Sequence, residues 1–347
     1  MSLATVSLKQ ATAYALQTLK ANLVPFLTAS PGVGKSASVM HLAKQFNLKV
    51  IDIRLSQEDP TCLSGFPSVV NGRSVFAAPE RFPLETDKLP EGYAGWLIFF
   101  DELNSAPRAV MAAAYKIVLD RMIGEHKLHP NVRIIAAGNL ATDNAIVNEI
   151  GTAMRSRMVH IKVDTSPKDW LDFAAKQGFD SRVVSYLSYQ QSKLNTFKTF
   201  GSSSDETFAC ERTWEFVSQL LKANQSNQTK PIPQDMAALL AGTVGSIAYE
   251  FVTYTEAFNE LPALSEIISQ PETCALPSTP AVRYLLSGML ANQATEETGD
   301  VIATYVDRMP KEFAVLFINL LWKRGDKYLS LPNVLKLLDK VADILIK

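Results

Sequence analysis

Cysteine is scarce in this chain of 347 residues: Cys62, Cys210 and Cys274 are scattered and odd in number. That argues against a disulfide frame or a zinc site and suits a reducing compartment, so a cytoplasmic setting is expected. The four histidines show no metal-ligand spacing. His126 and His129 lie close together, but a short loop or hairpin accounts for them better than a ligand pair. Neither sign of charge is in excess, with 34 Lys and Arg against 35 Asp and Glu. A bulk electrostatic attraction for nucleic acid is therefore missing, although a local basic patch or pore loop stays open. No apolar run approaches the ~20 residues of a membrane span. The N-terminus lacks a basic stretch followed by an apolar one, so no signal peptide is expected. There is also no long internal repeat.

What is present divides the chain in two. A length of 347 residues exceeds what one core usually serves, so two or three domains are expected. The first part alternates helix and strand. Leu8 to Leu23 has amphipathic helical spacing. Val24 to Thr28 (VPFLT), Leu48 to Leu55, Trp96 to Phe100 (WLIFF), Asn131 to Asn139 and Met158 to Val163 are short apolar runs of the buried-strand kind. Five strands with intervening helices predict a parallel sheet covered on both faces over residues 1–165. From about Thr165 helical periodicity takes over, broken by a polar loop at Asn195 to Glu211 and a proline-containing hinge near 268–284. An all-α lid at 166–265 and a C-terminal helical region at 266–347 are expected.

Thr28 to Ser38 reads TASPGVGKSAS and ends like a phosphate-binding loop, G-x-x-x-x-G-K-[ST], with Ala29 at the first glycine position. Backbone N–H groups that curl around phosphate oxygens need glycine where the chain approaches the ligand or takes positive φ, and Gly32 and Gly34 meet that need. Lys35 supplies a point charge, and Ser36 a hydroxyl for Mg²⁺. The alternative is an ordinary strand–turn–helix with a solvated lysine. Because the loop stands between a strand and a helix, Pro31, Gly32, Val33, Gly34, Lys35, Ser36 and Ala37 are the candidate nucleotide-binding residues.

Four further features fit that reading. The strand WLIFF ends in Asp101–Glu102, an acidic pair at the C-terminal end of a parallel strand, where ligands bind in such sheets. Asp101 is placed to hold Mg²⁺ and Glu102 to orient or deprotonate a water attacking a γ-phosphate. Asn139 ends the strand RIIAAGN and offers an amide beside that water. Arg155 and Arg157 precede what reads as an edge-type strand, and either would reach a neighbouring subunit's nucleotide; Arg157 is preferred. Arg212 opens a helix in CERTWEFVSQLL.

These features, in this order, resemble the AAA+ ATPases and, within them, the MoxR-like group, over roughly residues 1 to 260. SQEDPTCLSGFP is similar to that group's D-x-x-D-L-x-G segment, with Cys62 in place of the acidic residue. ERTWEFVSQLL is similar to its [ST]-P-R helix start, with Glu211 in place of proline, and RMIGEHKLHPNVRIIAAGN matches its hairpin leading into the sensor strand. The resemblance implies a P-loop NTPase α/β sheet with a helical lid, ATP and Mg²⁺ as ligands, and a homohexameric ring with nucleotide between subunits. Lys35, Ser36, Asp101, Glu102, Asn139 and Arg212 would act from one subunit and Arg157 from the next. It also implies a hairpin insert on the pore side. Asn71–Gly72 between β-branched residues, within 66–80, is the strongest short hairpin signal in the chain. Relatives act as chaperone-like partners of von Willebrand A domain proteins, so a protein client is expected.

Two other functions compete. A nucleotide-gated assembly module would bind ATP and hydrolyse little, and Glu102 argues against it. A nucleic-acid motor is weakened by the neutral charge and by the lack of an aromatic–basic tract that stacks bases. GTP in place of ATP stays open.

Overall fold

The computed structural model describes residues 4–140, 148–164, 166–200 and 205–345. It divides into two compact units, 1–165 and 166–347.

The first unit runs β1 (Thr5–Val6), α1 (Leu8–Lys20), β2 (Val24–Thr28), α2 (Lys35–Gln45), β3 (Leu48–Arg54) and a single turn α3 (Thr61–Ser64). It continues through β4 (Phe66–Val70), β5 (Arg73–Ala77), β6 (Gly95–Asp101), α4 (Arg108–Asp120), β7 (Met122–Ile123), β8 (His126–Lys127), β9 (Val132–Gly138), α5 (Thr152–Arg155) and β10 (Met158–Val163). Six strands form one parallel sheet in the order β1-β10-β2-β9-β6-β3. This is a parallel α/β sheet. The five expected strands are its body. The sixth, β1, is two residues long, too short to show any periodicity. It pairs outside β10, so β10 is not the edge strand that the sequence suggested.

Side-chain alternation explains the layers. Trp96, Ile98 and Phe100 of β6 enter one core with Val110, Met111, Ala114 and Ile117 of α4. Leu97 and Phe99 enter another with Ala11, Ala15 and Leu19 of α1 and Val39 and Leu42 of α2. Successive residues of a strand face opposite sides, so a run apolar at every position is buried twice, once under each helical layer. Helix α1 starts at a capping box in which the Ser7 hydroxyl accepts from Gln10 N–H and Gln10 Oε1 accepts from Ser7 N–H. It stops at Lys20, short of the expected Leu23, because Asn22 turns left-handed at φ 57°.

The second unit is helical: α6 (Pro167–Lys176), α7 (Ser181–Tyr189), α8 (Phe197–Phe200), α9 (Glu211–Ala223), α10 (Met236–Val244) and α11 (Ile247–Thr255). Then follow α12 (Leu264–Ser269), α13 (Pro280–Gln293), α14 (Gly299–Asp307), α15 (Lys311–Arg324) and α16 (Pro332–Leu345). The stretch expected as a polar loop at 195–211 contains the short α8, and residues 201–204 lie outside the described residues. Helices α6 and α13 begin with proline after a Ser166 or Thr279 hydroxyl that caps the first turn. One continuous apolar core joins residues from Trp170 to Val341, with Trp214, Tyr186, Phe251, Phe313 and Phe317 among its largest members. Within it Arg182 is fully buried and paired to Asp180 at 2.7 Å, and also donates to the carbonyls of Asn227 and Lys230. These bonds satisfy a guanidinium that could not otherwise leave water.

Candidate functional site

Strand order decides which loops meet. β2 lies beside β9, and β9 beside β6, all parallel, so their C-terminal ends emerge side by side. Thr28 pairs with Gly138, and Phe100 with Ala136. The glycine loop after β2, Asn139 after β9 and Asp101–Glu102 at the end of β6 are thereby neighbours.

The loop has the conformation its glycines permit. Gly32 and Gly34 take φ of 84° and 93°. Gly34 is the N-cap of α2 and provides no side-chain cap, so no hydroxyl or carboxylate of its own would compete with an anion for the N–H groups of the first turn. Ala29 is fully buried and its N–H donates to the Gly138 carbonyl. A methyl group is tolerated there because that residue anchors the base of the loop and packs into the core with α1 and α2. Pro31 and Val33 belong to the bend, and Ala37 is in the first turn of α2. The Lys35 ammonium turns back across the loop, donating to the carbonyls of Ala29 (2.7 Å) and Ser30 (3.2 Å) and to Asn139 Oδ1 (3.4 Å).

Ser36 Oγ donates to Asp101 Oδ2 at 3.4 Å. These two hard oxygen donors, one from the loop and one from β6, are the set that a small divalent cation such as Mg²⁺ takes. Asp52, on the adjacent strand β3, has its carboxyl pushed above the ordinary range by partial burial and then by the charge of Asp101, against the opposing pull of Arg54. A divalent cation would relieve that repulsion, so the residues fit the ion. Among the described residues no group of three or more His, Cys, Asp or Glu forms a separate metal cluster.

Glu102 turns the chain sharply, at φ 56° and ψ 34°, a left-handed conformation uncommon outside glycine and enriched at functional turns. Its carboxylate accepts from the Ser56 hydroxyl and lies 3.7 Å from Arg54 Nε, both just past or at the end of β3. Ser56 and Arg54 escaped the sequence reading. Their partner lies more than forty residues on, and only the pairing of Arg54 with Asp101 in the sheet brings them there. Asn104 and Ser105, two and three residues past Glu102, escaped the sequence reading for the same reason, since their partner is the distant Asn139.

The remaining candidates belong to the segment before β10, to the helical unit and to the β4–β5 hairpin. Arg155 and Arg157 are exposed at the end of α5 and just beyond it. Arg155 Nε donates to the Ile150 carbonyl and Arg157 Nη1 to the Ala153 carbonyl. Arg212 is the second residue of α9, in the helical unit, and is exposed. Asn71 and Gly72, with φ of 51° and 72°, close the β4–β5 hairpin in the left-handed region at both positions, as a tight two-residue turn requires. The segments that flank it are tied together: Arg81 makes two bonds to the Glu58 carboxylate, at 2.8 and 2.7 Å, and a third to the Cys62 carbonyl.

No family model matches the chain, and no curated protein does. Solved structures similar to it include NtrX from Brucella abortus, 15% identical with a TM-score of 0.37, covering 93% of this chain and 69% of that one. A Cytophaga hutchinsonii protein provisionally assigned as an ATPase is 14% identical with a TM-score of 0.36, covering 92% and 82%. NtrX in complex with ATP is 14% identical with a TM-score of 0.35, covering 99% and 70%. At this level of likeness the reading of the site rests on its own geometry.

Proposed function

We propose that this chain is a divergent AAA+ ATPase of the MoxR-like kind, which binds ATP with Mg²⁺, hydrolyses it as part of a homohexameric ring in the cytoplasm, and remodels or matures a protein partner. The observation that carries the reading is the meeting of Lys35, Ser36, Asp101 and Asn139 at the ends of three adjacent parallel strands, over a helix start with no side-chain cap. Lys35 and the N–H groups of residues 32–37 bind the phosphates, with Pro31 shaping the bend before them. Ser36 and Asp101 would hold Mg²⁺, which would supply positive charge for the transferring phosphoryl group. Glu102 orients the attacking water, with Asn139 beside it. Arg212, from the helical lid at 166–265, contributes to the nucleotide in its own subunit, and Arg157 to that of the next. The exposed hairpin at 66–80 meets the client, a von Willebrand A domain protein in the nearest functional analogy.

A second reading is favoured by two contacts of one residue. Glu102 is engaged by Ser56 and Arg54, as in a module that binds nucleotide and assembles but turns over slowly. Calorimetry and a turnover assay on three proteins decide. Wild type should bind and hydrolyse ATP, and Lys35→Ala should bind none. Glu102→Gln should bind yet turn over at least ~100-fold more slowly, in line with loss of a positioned base. Near wild-type ATP affinity in Lys35→Ala removes the phosphate-loop reading. Binding without turnover in wild type leaves the slow module.

A further inference from the structure

Asn104 is 5% exposed and lies two residues beyond Glu102, in the turn after β6. Its side-chain amide grips a single residue by both main-chain groups. Asn104 Nδ2 donates to the Asn139 carbonyl at 2.8 Å, and Asn104 Oδ1 accepts from the Asn139 N–H at 3.0 Å. Asn139 stands immediately past the end of β9, where a chain leaving a sheet would otherwise be free to fray. The side chain of Asn139 is then suspended between Lys35, which donates to its Oδ1, and Ser105, whose Oγ accepts from its Nδ2 at 3.3 Å. The grip needs a gap in the strand. A Cβ on Gly138 would lie 2.3 Å from Asn104 Oδ1 and 2.9 Å from Phe26 Cζ, so glycine is required there for space, not for an unusual φ. The main chain of Asn104 extends the same tie, its carbonyl accepting from Asn148 N–H at 2.6 Å.

We infer that Asn104, with Gly138 as the clearance it needs, is a positioning residue that sets Asn139 against Lys35 for the hydrolytic step. The inference rests on the proposed reading of the site as an ATPase centre. It gives the turn after β6 two tasks: Glu102 presents a carboxylate to the water, and Asn104 holds the residue beside that water. Two hydrogen bonds from one planar side-chain amide to the N–H and C=O of one residue fix both its position and its tilt, and a misplacement of about 1 Å in such a group can cost roughly 100-fold in rate.

The test uses the full chain and the variants Asn104→Ala, Asn104→Asp, Gly138→Ala, Asn139→Ala and the double variant Asn104→Ala/Asn139→Ala. Steady-state kinetics with MgATP should show kcat of Asn104→Ala lowered about 10- to 100-fold with KM little changed, as expected for a displaced group. Gly138→Ala should act in the same direction, because its methyl group displaces Asn104. In the double variant the loss should equal that of Asn139→Ala alone, since nothing is left to position. Asn104→Asp keeps the acceptor for Asn139 N–H and should recover part of kcat. Hydrogen exchange at the Asn139 amide, which needs no nucleotide, should be slow in wild type and fast in Asn104→Ala. Independent, additive losses in the double variant, or fast exchange with unchanged kcat, overturn the positioning role while leaving the ATPase reading standing. Unchanged exchange in Asn104→Ala overturns the grip itself. If Asn104→Ala does not fold, Asn104→Asp and Gly138→Ala decide by the same measures. Wild type that hydrolyses no ATP overturns the function and the positioning role together, a result separable from the others because it appears before any substitution.

Discussion

Single residues carry both the chemistry and the framework that presents it. The glycines, Lys35 and Ser36 were legible because the loop is a local device: every group that shapes it lies within a few residues of the next. The pair Glu58–Arg81 was not legible, since 22 residues separate its members and nothing in their spacing marks them. Hydrogen bonding to Arg81 holds the Glu58 carboxyl below its ordinary value of 4.5, against the opposing effect of burial. For an acid whose folded pKa is depressed, the linked stability is present above the ordinary value and lost as pH falls through the depressed one. Glu58→Gln should therefore cost on the order of 1 kcal/mol at neutral pH, at the upper end for a partly exposed pair. Its deficit relative to wild type should shrink below pH 4.5. Denaturant melts of both proteins across that range check this, and a deficit independent of pH would mean that the charge pair is not its source.

Elements were read best where their sequence signals were strongest. WLIFF and RIIAAG are strands because both sheet faces are covered, and an apolar side chain is favoured at every position. The Asn71–Gly72 hairpin was also legible, since the left-handed turn selects those residues on its own. What it does with its side chains was not. Val69 is 78% exposed and Phe66 67%, so the insert lends little to the core. Its base is fastened by the Glu58–Arg81 pair and by the bond between His126 Nε2 and the Phe76 carbonyl. Replacing Val69 to Ser74 with a short Gly-Ser link keeps those fasteners. The melting temperature and ATP affinity should stay near wild type while client processing falls. A large drop in melting temperature would instead assign the segment to the folded core.

At the scale of the whole molecule the proposal makes hydrolysis depend on assembly. Arg157 is exposed, its Nη1 donates to the Ala153 carbonyl on its own short helix, and it lies outside the group formed by Lys35, Ser36, Asp101 and Asn139. In the proposed ring it serves the neighbour's nucleotide, a role worth ~10³ to 10⁵ in rate for an arginine finger. Arg157→Ala should bind ATP and lose nearly all turnover. Mixing it with Glu102→Gln should restore part of the activity, because some interfaces then join an intact Glu102 to an intact Arg157. Specific activity should also rise with protein concentration until rings are complete. A rate independent of concentration, from a protein that stays monomeric in ATP, is the outcome that defeats the trans mechanism. The same mixing experiment with Arg155→Ala separates the two arginines.

The amino-acid sequence by itself determined the α/β class, the strands buried on both faces, the phosphate-type loop, the acid pair ending β6 and the hairpin turn. Each depends on side-chain periodicity or backbone freedom within a short window, and no distant segment is needed to read it. Only the tertiary structure decided that β1 flanks β10, that Ser56 and Arg54 reach Glu102, and that Asn104 holds Asn139 through a gap left by Gly138. It likewise decided that Arg182 is buried against Asp180 beneath the carbonyls of residues 227 and 230. The physical reason is that these contacts join segments whose meeting is set by strand order and helix packing. A hydrogen bond between remote residues imposes no period on the chain between them, so it leaves no local pattern to be read.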